Sequence, residues 1–208
     1  MRDSQAIAPH EDAAGGVAGG GKDTRKPRTS DTLTQSIVYG EPSAPSTAAF
    51  DDSASLSNPD TALITTITVT LLPAAAPTPS APPLTLITDV AVEYADRPAQ
   101  PHARARDGAD SASFGVPEGS TITCISGTFV KGKGLAHLRF ETPRRVHEFG
   151  SPQDTPGAKF RCNVPPEKRL VALRGSFDAG GGAIRSLGLA YGPRLYLSDA
   201  RLRHPKLG

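Results

Sequence analysis

Tryptophan is absent from the 208 residues, methionine occurs once, and cysteine occurs twice. Two cysteines outside any C-x-x-C pair exclude a four-cysteine zinc site and a disulfide framework. No apolar run approaches the ~18 residues that a membrane-spanning helix needs. The charged residues close to Met1 also leave no room for the apolar core of a secretory signal. We therefore expect a soluble, cytoplasmic protein, with unconventional secretion left open.

Glycine and proline, by contrast, are abundant, numbering 21 and 20. Both residues interrupt helices, whereas sheets accept them in turns and at strand ends. Aromatic residues are few, with 7 Phe and 4 Tyr. The composition therefore excludes an all-α chain and favours an all-β fold, and the length favours a single domain.

The formal net charge of +2 conceals an uneven distribution of charge along the chain. Residues 1–31 balance five basic against five acidic groups, and residues 32–93 hold six acidic groups with no Lys or Arg. Residues 94–208 hold 18 basic against 10 acidic groups. If the last two stretches fold together, the molecule has an acidic side and a basic side that steers anionic partners. The alternative is that these charges are ordinary solvated faces.

The two ends of the chain differ in composition from its middle. Residues 1–34 contain almost no large apolar side chain and are predicted to be a disordered tail rich in Gly and Ala. The folded domain is expected over residues 35–194. Residues 195–208 are interpreted as a short, basic, frayed terminus. The alternative for this segment is an edge strand or a partner contact through Leu195, Leu197 and Leu202.

A six-residue pattern recurs through the expected domain: a large apolar residue, two others, an apolar residue, one other, then an apolar residue or glycine. Its six copies are Ile64–Val69, Ile87–Val92, Ile122–Gly127, Leu135–Phe140, Leu170–Gly175 and Ile184–Leu189. A step of three followed by a step of two indicates a strand with one extra residue. The copies fall into three pairs separated by turns, which predicts three hairpins closing three sheets around one core. Further strands are predicted at residues 37–39, 146–149 and 159–164.

The two cysteines are expected to be structural. Cys162 lies in an alternating segment on the same side as Phe160 and Val164, a pattern typical of a buried strand residue. We expect Cys124 and Cys162 to be buried free thiols, with a single bridge between them as the alternative.

A series of short motifs follows one order from about residue 37 to residue 193. The clearest is Val116–Gly127, where a proline, an acidic residue and a glycine lead into a strand ending in Ser-Gly. The other motifs are Phe50–Asp52, Val90–Tyr94, Leu138–Thr142, Phe149–Gly150, Gly157, Phe160 and Leu187–Leu189. Together they resemble the jacalin-related lectins, and among these the zymogen granule lectins. The resemblance implies a β-prism I fold of three four-stranded antiparallel sheets with pseudo-threefold symmetry.

The resemblance also implies carbohydrate binding without catalysis and without a cofactor. Mannose-binding members of that family form a shallow site from three turns, of which a Gly-x-x-x-Asp turn supplies a carboxylate for two sugar hydroxyls. Here the three turns correspond to residues 40–45, 130–134 and 181–185. The candidate carbohydrate-binding residues, which include one carboxylate outside these turns, are Gly40, Glu41, Lys131, Gly132, Lys133, Asp178, Gly181, Gly182, Ile184 and Arg185.

This sequence departs from the family pattern at one decisive position. Arg185 stands where the resemblance places the sugar-binding aspartate, so a donor-only cation replaces an acceptor. Asp178 or Glu41 would restore the acceptor if its loop folds back. Alternatively, Arg185 joins Lys131 and Lys133 in binding a sulfated or carboxylated glycan, or a phosphorylated lipid head group. A third hypothesis pairs Arg185 with Asp178 in a structural or protein-interaction module that has lost sugar binding.

Local spacing supports no other chemistry. The five histidines form no H-x-H or H-x-x-x-H pair, and His137 is expected to be an ordinary strand residue. No serine lies in Gly-x-Ser-x-Gly, so the sequence predicts no hydrolase. Scattered arginines and few aromatics argue against nucleic-acid binding. Homo-oligomerisation is left open.

Overall fold

The computed structural model describes residues 33–41, 46–74, 83–103, 106–179 and 182–195. Its strands are β1 (Thr34–Gln35), β2 (Tyr39–Gly40), β3 (Thr47–Asp51), β4 (Ile64–Ala74), β5 (Leu84–Tyr94), β6 (Asp110–Gly115), β7 (Cys124–Val130), β8 (Gly134–Glu141), β9 (Val146–Gly150), β10 (Ala158–Asn163), β11 (Lys168–Asp178) and β12 (Ile184–Pro193). A short 3-10 helix, Asp52–Ser55, follows β3. Within these ranges no helix is long and apolar enough to cross a membrane. Most of both predicted tails lies outside the described residues, so the tails stay predictions.

The described residues form three antiparallel sheets, which confirms the all-β, β-prism prediction. Sheet one has the order β12-β11-β3, with β1 and β2 pairing with successive parts of the outer edge of β12. Sheet two has the order β10-β7-β8-β9, and sheet three has the order β5-β4-β6. Sheets one and two therefore have the predicted four strand positions, whereas sheet three has three strands among the described residues. The predicted hairpins are β4–β5, β7–β8 and β11–β12.

The strand predicted at residues 37–39 is only partly correct. It is interrupted, since Ile37 and Val38 lie between β1 and β2 with exposures of 71% and 49%. The cause is Ser36, whose N–H donates to the Leu189 carbonyl at 2.8 Å while its Oγ accepts from the Leu189 N–H at 2.8 Å. The strands predicted at 146–149 and 159–164 are confirmed as β9 and β10.

The extra residue expected in each six-residue pattern is present in five of the six copies. In each of the five, the pairing register shifts at the second residue of the pattern, and the bulged residues are Thr65, Thr88, Ala136, Val171 and Arg185. A bulge offsets the alternation by one residue, so apolar residues three apart point to the same face. Burial agrees with this, since exposure is at most 1% for two such pairs, Ile87 with Val90 and Ile184 with Leu187. In the sixth copy, Ile122–Gly127, strand β7 begins only at Cys124. The first two residues of that copy, where a bulge would occur, therefore lie before the strand.

Aromatic side chains fill one part of the core. Phe140 on β8 is fully buried, and its ring centroid lies 5.3 Å from that of Phe114 on β6 and 6.3 Å from that of Phe149 on β9. Such offset and edge contacts add to the hydrophobic gain from burial. Phe140 therefore ties sheet two to sheet three.

The cysteines are free and buried, as expected, and the alternative of a bridge is wrong. On adjacent strands, Cys124 pairs with Asn163 and Cys162 pairs with Ile125. Successive residues of a strand face opposite sides of the sheet, so the two thiols lie on opposite faces. Cys162 Sγ instead lies 2.8 Å from the hydroxyl of Tyr191.

A thiol titration tests this arrangement. We expect neither cysteine to react with an aromatic disulfide reagent in the folded protein, because both are at most 9% exposed and burial raises the pKa of Cys124. Both should react once denaturant unfolds the chain. Rapid stoichiometric reaction of either thiol without denaturant would contradict the burial of both side chains.

Candidate functional site

Three turns meet at one end of sheets one and two and form what we call the three-turn site: Gly40–Glu41, the β7–β8 turn at residues 131–133, and the β11–β12 connection. The Glu41 N–H donates to the Arg185 carbonyl at 3.0 Å, and the Gly132 N–H donates to Glu41 Oε1 at 2.7 Å. The structure thus brings together nine of the ten candidate residues. Gly181 and residues 42–45 of the predicted first turn lie outside the described residues.

Two glycines allow the turns to approach this closely. Gly40 has a φ of +104°, and a Cβ there would lie 2.3 Å from the Arg185 carbonyl oxygen. Gly134 has a φ of +103°, and a Cβ there would lie 2.7 Å from the Cβ of Ala183. A side chain at either position would be strained and would also push the neighbouring turn away.

Arg185 is the centre of the three-turn site. As the bulged residue of β12, it projects between two carboxylates: its Nη2 lies 3.0 Å from Glu41 Oε2, and its Nε lies 3.4 Å from Asp178 Oδ1. The Arg185 side chain is 18% exposed, against 35% for Glu41 and 38% for Asp178. The guanidinium is therefore neutralised from both sides, while both carboxylates keep access to solvent.

The remaining candidates differ in what they can contribute. Lys131 and Lys133 are exposed, and neither forms an ion pair with any residue that the structure describes. Gly182 lies under Asp178, since a Cβ at Gly182 would lie 2.6 Å from Asp178 Oδ2. Ile184 is 1% exposed, so only its backbone can reach a ligand.

A second polar cluster, which the sequence patterns did not indicate, surrounds His102. Its Nε2 lies 2.7 Å from Asp52 Oδ1 and its Nδ1 lies 2.9 Å from Asp89 Oδ1, while the His102 N–H donates to Asp89 Oδ2 at 3.0 Å. Burial alone would lower the pKa of His102, but the hydrogen bonds to Asp52 and Asp89 outweigh it and raise the pKa to about 9. With both ring nitrogens engaged, His102 is a charged structural link and not a general base.

The other described histidines show no catalytic arrangement. His137 is a strand residue as expected, but it is buried, and burial lowers its pKa. The His147 ring stacks on Phe114 at a centroid distance of 4.0 Å. Across the described ranges, His, Cys, Asp and Glu side chains form no group able to hold a metal ion.

Solved structures share this architecture. No protein-family model and no curated protein matches the chain. A prostate-specific WGA16 glycoprotein lectin is similar over 76% of this chain and 100% of its own, with a TM-score of 0.55 and 20% identity. A mannose-specific jacalin-related lectin from Morus nigra is similar over 77% of this chain and 95% of its own, with a TM-score of 0.54 and 14% identity. PirB is similar over 85% of this chain and 41% of its own, with a TM-score of 0.60 and 10% identity.

These likenesses concern the backbone. The chain has the β-prism I fold of the jacalin-related lectins. At 20% identity or less, a shared fold does not carry a shared ligand, because ligand chemistry depends on the side chains grafted onto the fold.

Proposed function

We propose that this protein is a non-catalytic carbohydrate-binding module whose ligand is a neutral, mannose-like glycan held at the three-turn site. One observation carries the proposal: Glu41 and Asp178 stand on either side of Arg185, within 3.0 and 3.4 Å of its guanidinium. Position 185 itself holds no hydrogen-bond acceptor, and these two carboxylates supply acceptors on either side of it.

The chemistry of the cluster suits a neutral sugar. Each sugar hydroxyl both donates and accepts hydrogen bonds, so it needs acceptors and donors side by side. The carboxylates of Glu41 and Asp178 provide acceptors, and the Arg185 guanidinium between them provides donors. Because Arg185 is paired on both sides, its charge is not free to attract a second anion.

The exposed lysines favour one alternative ligand. Lys131 and Lys133 have no ion-pair partner among the described residues, and the Lys131–Lys133 turn is fixed to Glu41 through Gly132. These two charges would attract a sulfated or carboxylated glycan, or a phospholipid head group, to the rim of the three-turn site. Salt separates the two ligands, since polyanion binding weakens steeply as salt rises and neutral-sugar binding does not.

A glycan array at low and high salt tests the proposal, with Asp178→Asn as the decisive variant. Losing a charged acceptor that two hydroxyls share is expected to weaken neutral-glycan binding about tenfold or more. Glu148→Gln is the matched control, because it also removes the charge of a carboxylate paired with an arginine. Glu148 Oε1 lies 2.9 Å from Arg139 Nη1, within sheet two. That variant should bind like the wild type.

Two outcomes would contradict neutral-glycan binding. Binding that disappears at high salt and in a Lys131→Ala/Lys133→Ala double variant, but survives Asp178→Asn, would indicate the anionic ligand. Absence of binding to every glycan at both salt concentrations would leave a structural or protein-interaction module.

A further inference from the structure

Sheet three differs from the other two sheets along the outer edge of β5. In sheets one and two the central hairpin has a strand on both sides, whereas β5 pairs only with β4 among the described residues. The segment 95–103 follows this edge without forming a strand. It is attached by the Tyr94–Arg97 bridge and by the His102 N–H, which donates to the Asp89 side chain at 3.0 Å.

A cavity of about 130 Å³ opens between this segment and the end of β3 with its 3-10 helix. The polar side chains that line it include Asp51, Ser55, Arg97 and Gln100, and the apolar side chain of Val92 also lines it. His102 closes one side by bridging Asp52 and Asp89. A cavity of this size suits a ligand of few atoms.

This cavity is separate from the three-turn site. On the strand pair β3–β11, Thr47 lies opposite Asp178 and Asp51 lies opposite Arg174. Four residues of extended strand at 3.4 Å each separate Asp51 from Thr47, a distance of about 14 Å. A ligand of few atoms in the cavity cannot also contact Asp178.

The polar atoms in the cavity offer both kinds of hydrogen bond. Asp51 Oδ1 caps the 3-10 helix by accepting from the Ser53 N–H at 2.9 Å, whereas no described residue donates to Asp51 Oδ2. Arg97 Nη1 donates to the Ser55 carbonyl at 2.8 Å and to Ser55 Oγ at 2.7 Å, which fixes the guanidinium and leaves its Nη2 without a partner in the described ranges. The Gln100 amide adds a donor and an acceptor beside them.

We propose that this cavity binds the vicinal diol of a small polyol. One hydroxyl of such a diol accepts from Arg97 and donates to Asp51, and the other bonds the Gln100 amide, while the carbon chain packs on Val92. Donors and acceptors that line one cavity match hydroxyl groups, which fill both roles, better than they match a simple anion or cation.

The test is a titration of the isotopically labelled full chain with glycerol, and in parallel with 1-propanol, which has the same carbon chain but no diol. Saturable shifts of the Ser55 and His102 amide resonances are expected with glycerol alone. Gln100→Ala and Asp51→Asn should each weaken the apparent glycerol affinity about threefold or more. Gln100 is exposed, and Asn retains an acceptor for the helix cap, so both variants should fold.

The control is Glu41→Gln in the three-turn site, which should leave the glycerol response unchanged and so separates this proposal from the proposed function. Equal, non-saturating shifts with glycerol and 1-propanol would overturn the proposal. A glycerol response that is the same in both cavity variants as in the wild type would also overturn it.

Discussion

Phe140→Ala is expected to lower the free energy of unfolding by about 3–5 kcal/mol, the range typical of a fully buried aromatic cut back to its Cβ. Phe140 is 0% exposed and contacts aromatic rings on β6 and β9, so the cavity left behind is walled by two sheets. Urea unfolding followed by far-UV circular dichroism measures the loss, since the chain has no tryptophan to report it.

The control for this substitution is Val146→Ala on the neighbouring strand β9. Val146 is 49% exposed, so its truncation should change the free energy of unfolding by no more than about 0.5 kcal/mol. A loss below about 1 kcal/mol in Phe140→Ala would mean that the aromatic cluster does not join sheets two and three.

His102 is expected to make stability fall as the pH rises through about 9. Its pKa is about 9 in the folded protein, against an ordinary value of 6.5, because Asp52 and Asp89 hold the ring in its charged form. A raised folded-state pKa gives stabilisation that is complete below pH 6.5 and lost above the folded value. At 1.36 kcal/mol per pKa unit, the stabilisation amounts to roughly 3 kcal/mol. Urea unfolding at a series of pH values from 6 to 10 measures it.

His102→Gln separates this effect from the other groups that titrate in alkali. The difference in unfolding free energy between wild type and variant should be largest near pH 6 and shrink by about 3 kcal/mol towards pH 10. NMR titration gives a direct check, with His147 as internal control because burial lowers the pKa of that ring. Parallel stability curves, or a His102 ring that titrates near pH 6.5, would contradict the prediction.

The strands and hairpins could be predicted because the features that specify them, apolar spacing and turns, are local in the sequence. A bulge changes the spacing of apolar residues along its strand. The copies of the pattern therefore predict that Leu135 and Leu138, and likewise Ile184 and Leu187, lie in the core. The turns between the paired copies then specify hairpins. The interruption at Ile37 and Val38 escaped prediction because it depends on how Ser36 bonds Leu189, a residue near the other end of the chain.

The polar clusters depend on contacts that spacing does not encode. Asp52, Asp89 and His102 come from three separate segments, and no short motif relates them. The sequence suggested a pair between Arg185 and Asp178, but not that Glu41 would pair with Arg185 from the other side. Beside β5, the described residues place segment 95–103 without a strand, attached in part by the His102–Asp89 contact between distant segments. Side-chain pairing between distant segments is thus the part that sequence patterns leave open.

The pairing of β1 with β12 makes completion of this fold a late event. Sheets two and three are each built from one continuous stretch of chain, whereas sheet one joins β1, β2 and β3 to β11 and β12, with Thr34 opposite Tyr191. Contacts of such wide sequence separation carry a large loop-closure entropy, so they form slowly and after local hairpins. During synthesis, sheet one cannot close until β12 has left the ribosome. Because Glu41 and Arg185 come from these two ends, the three-turn site assembles only when sheet one closes. A chain truncated before β12 would form neither the complete sheet one nor the three-turn site.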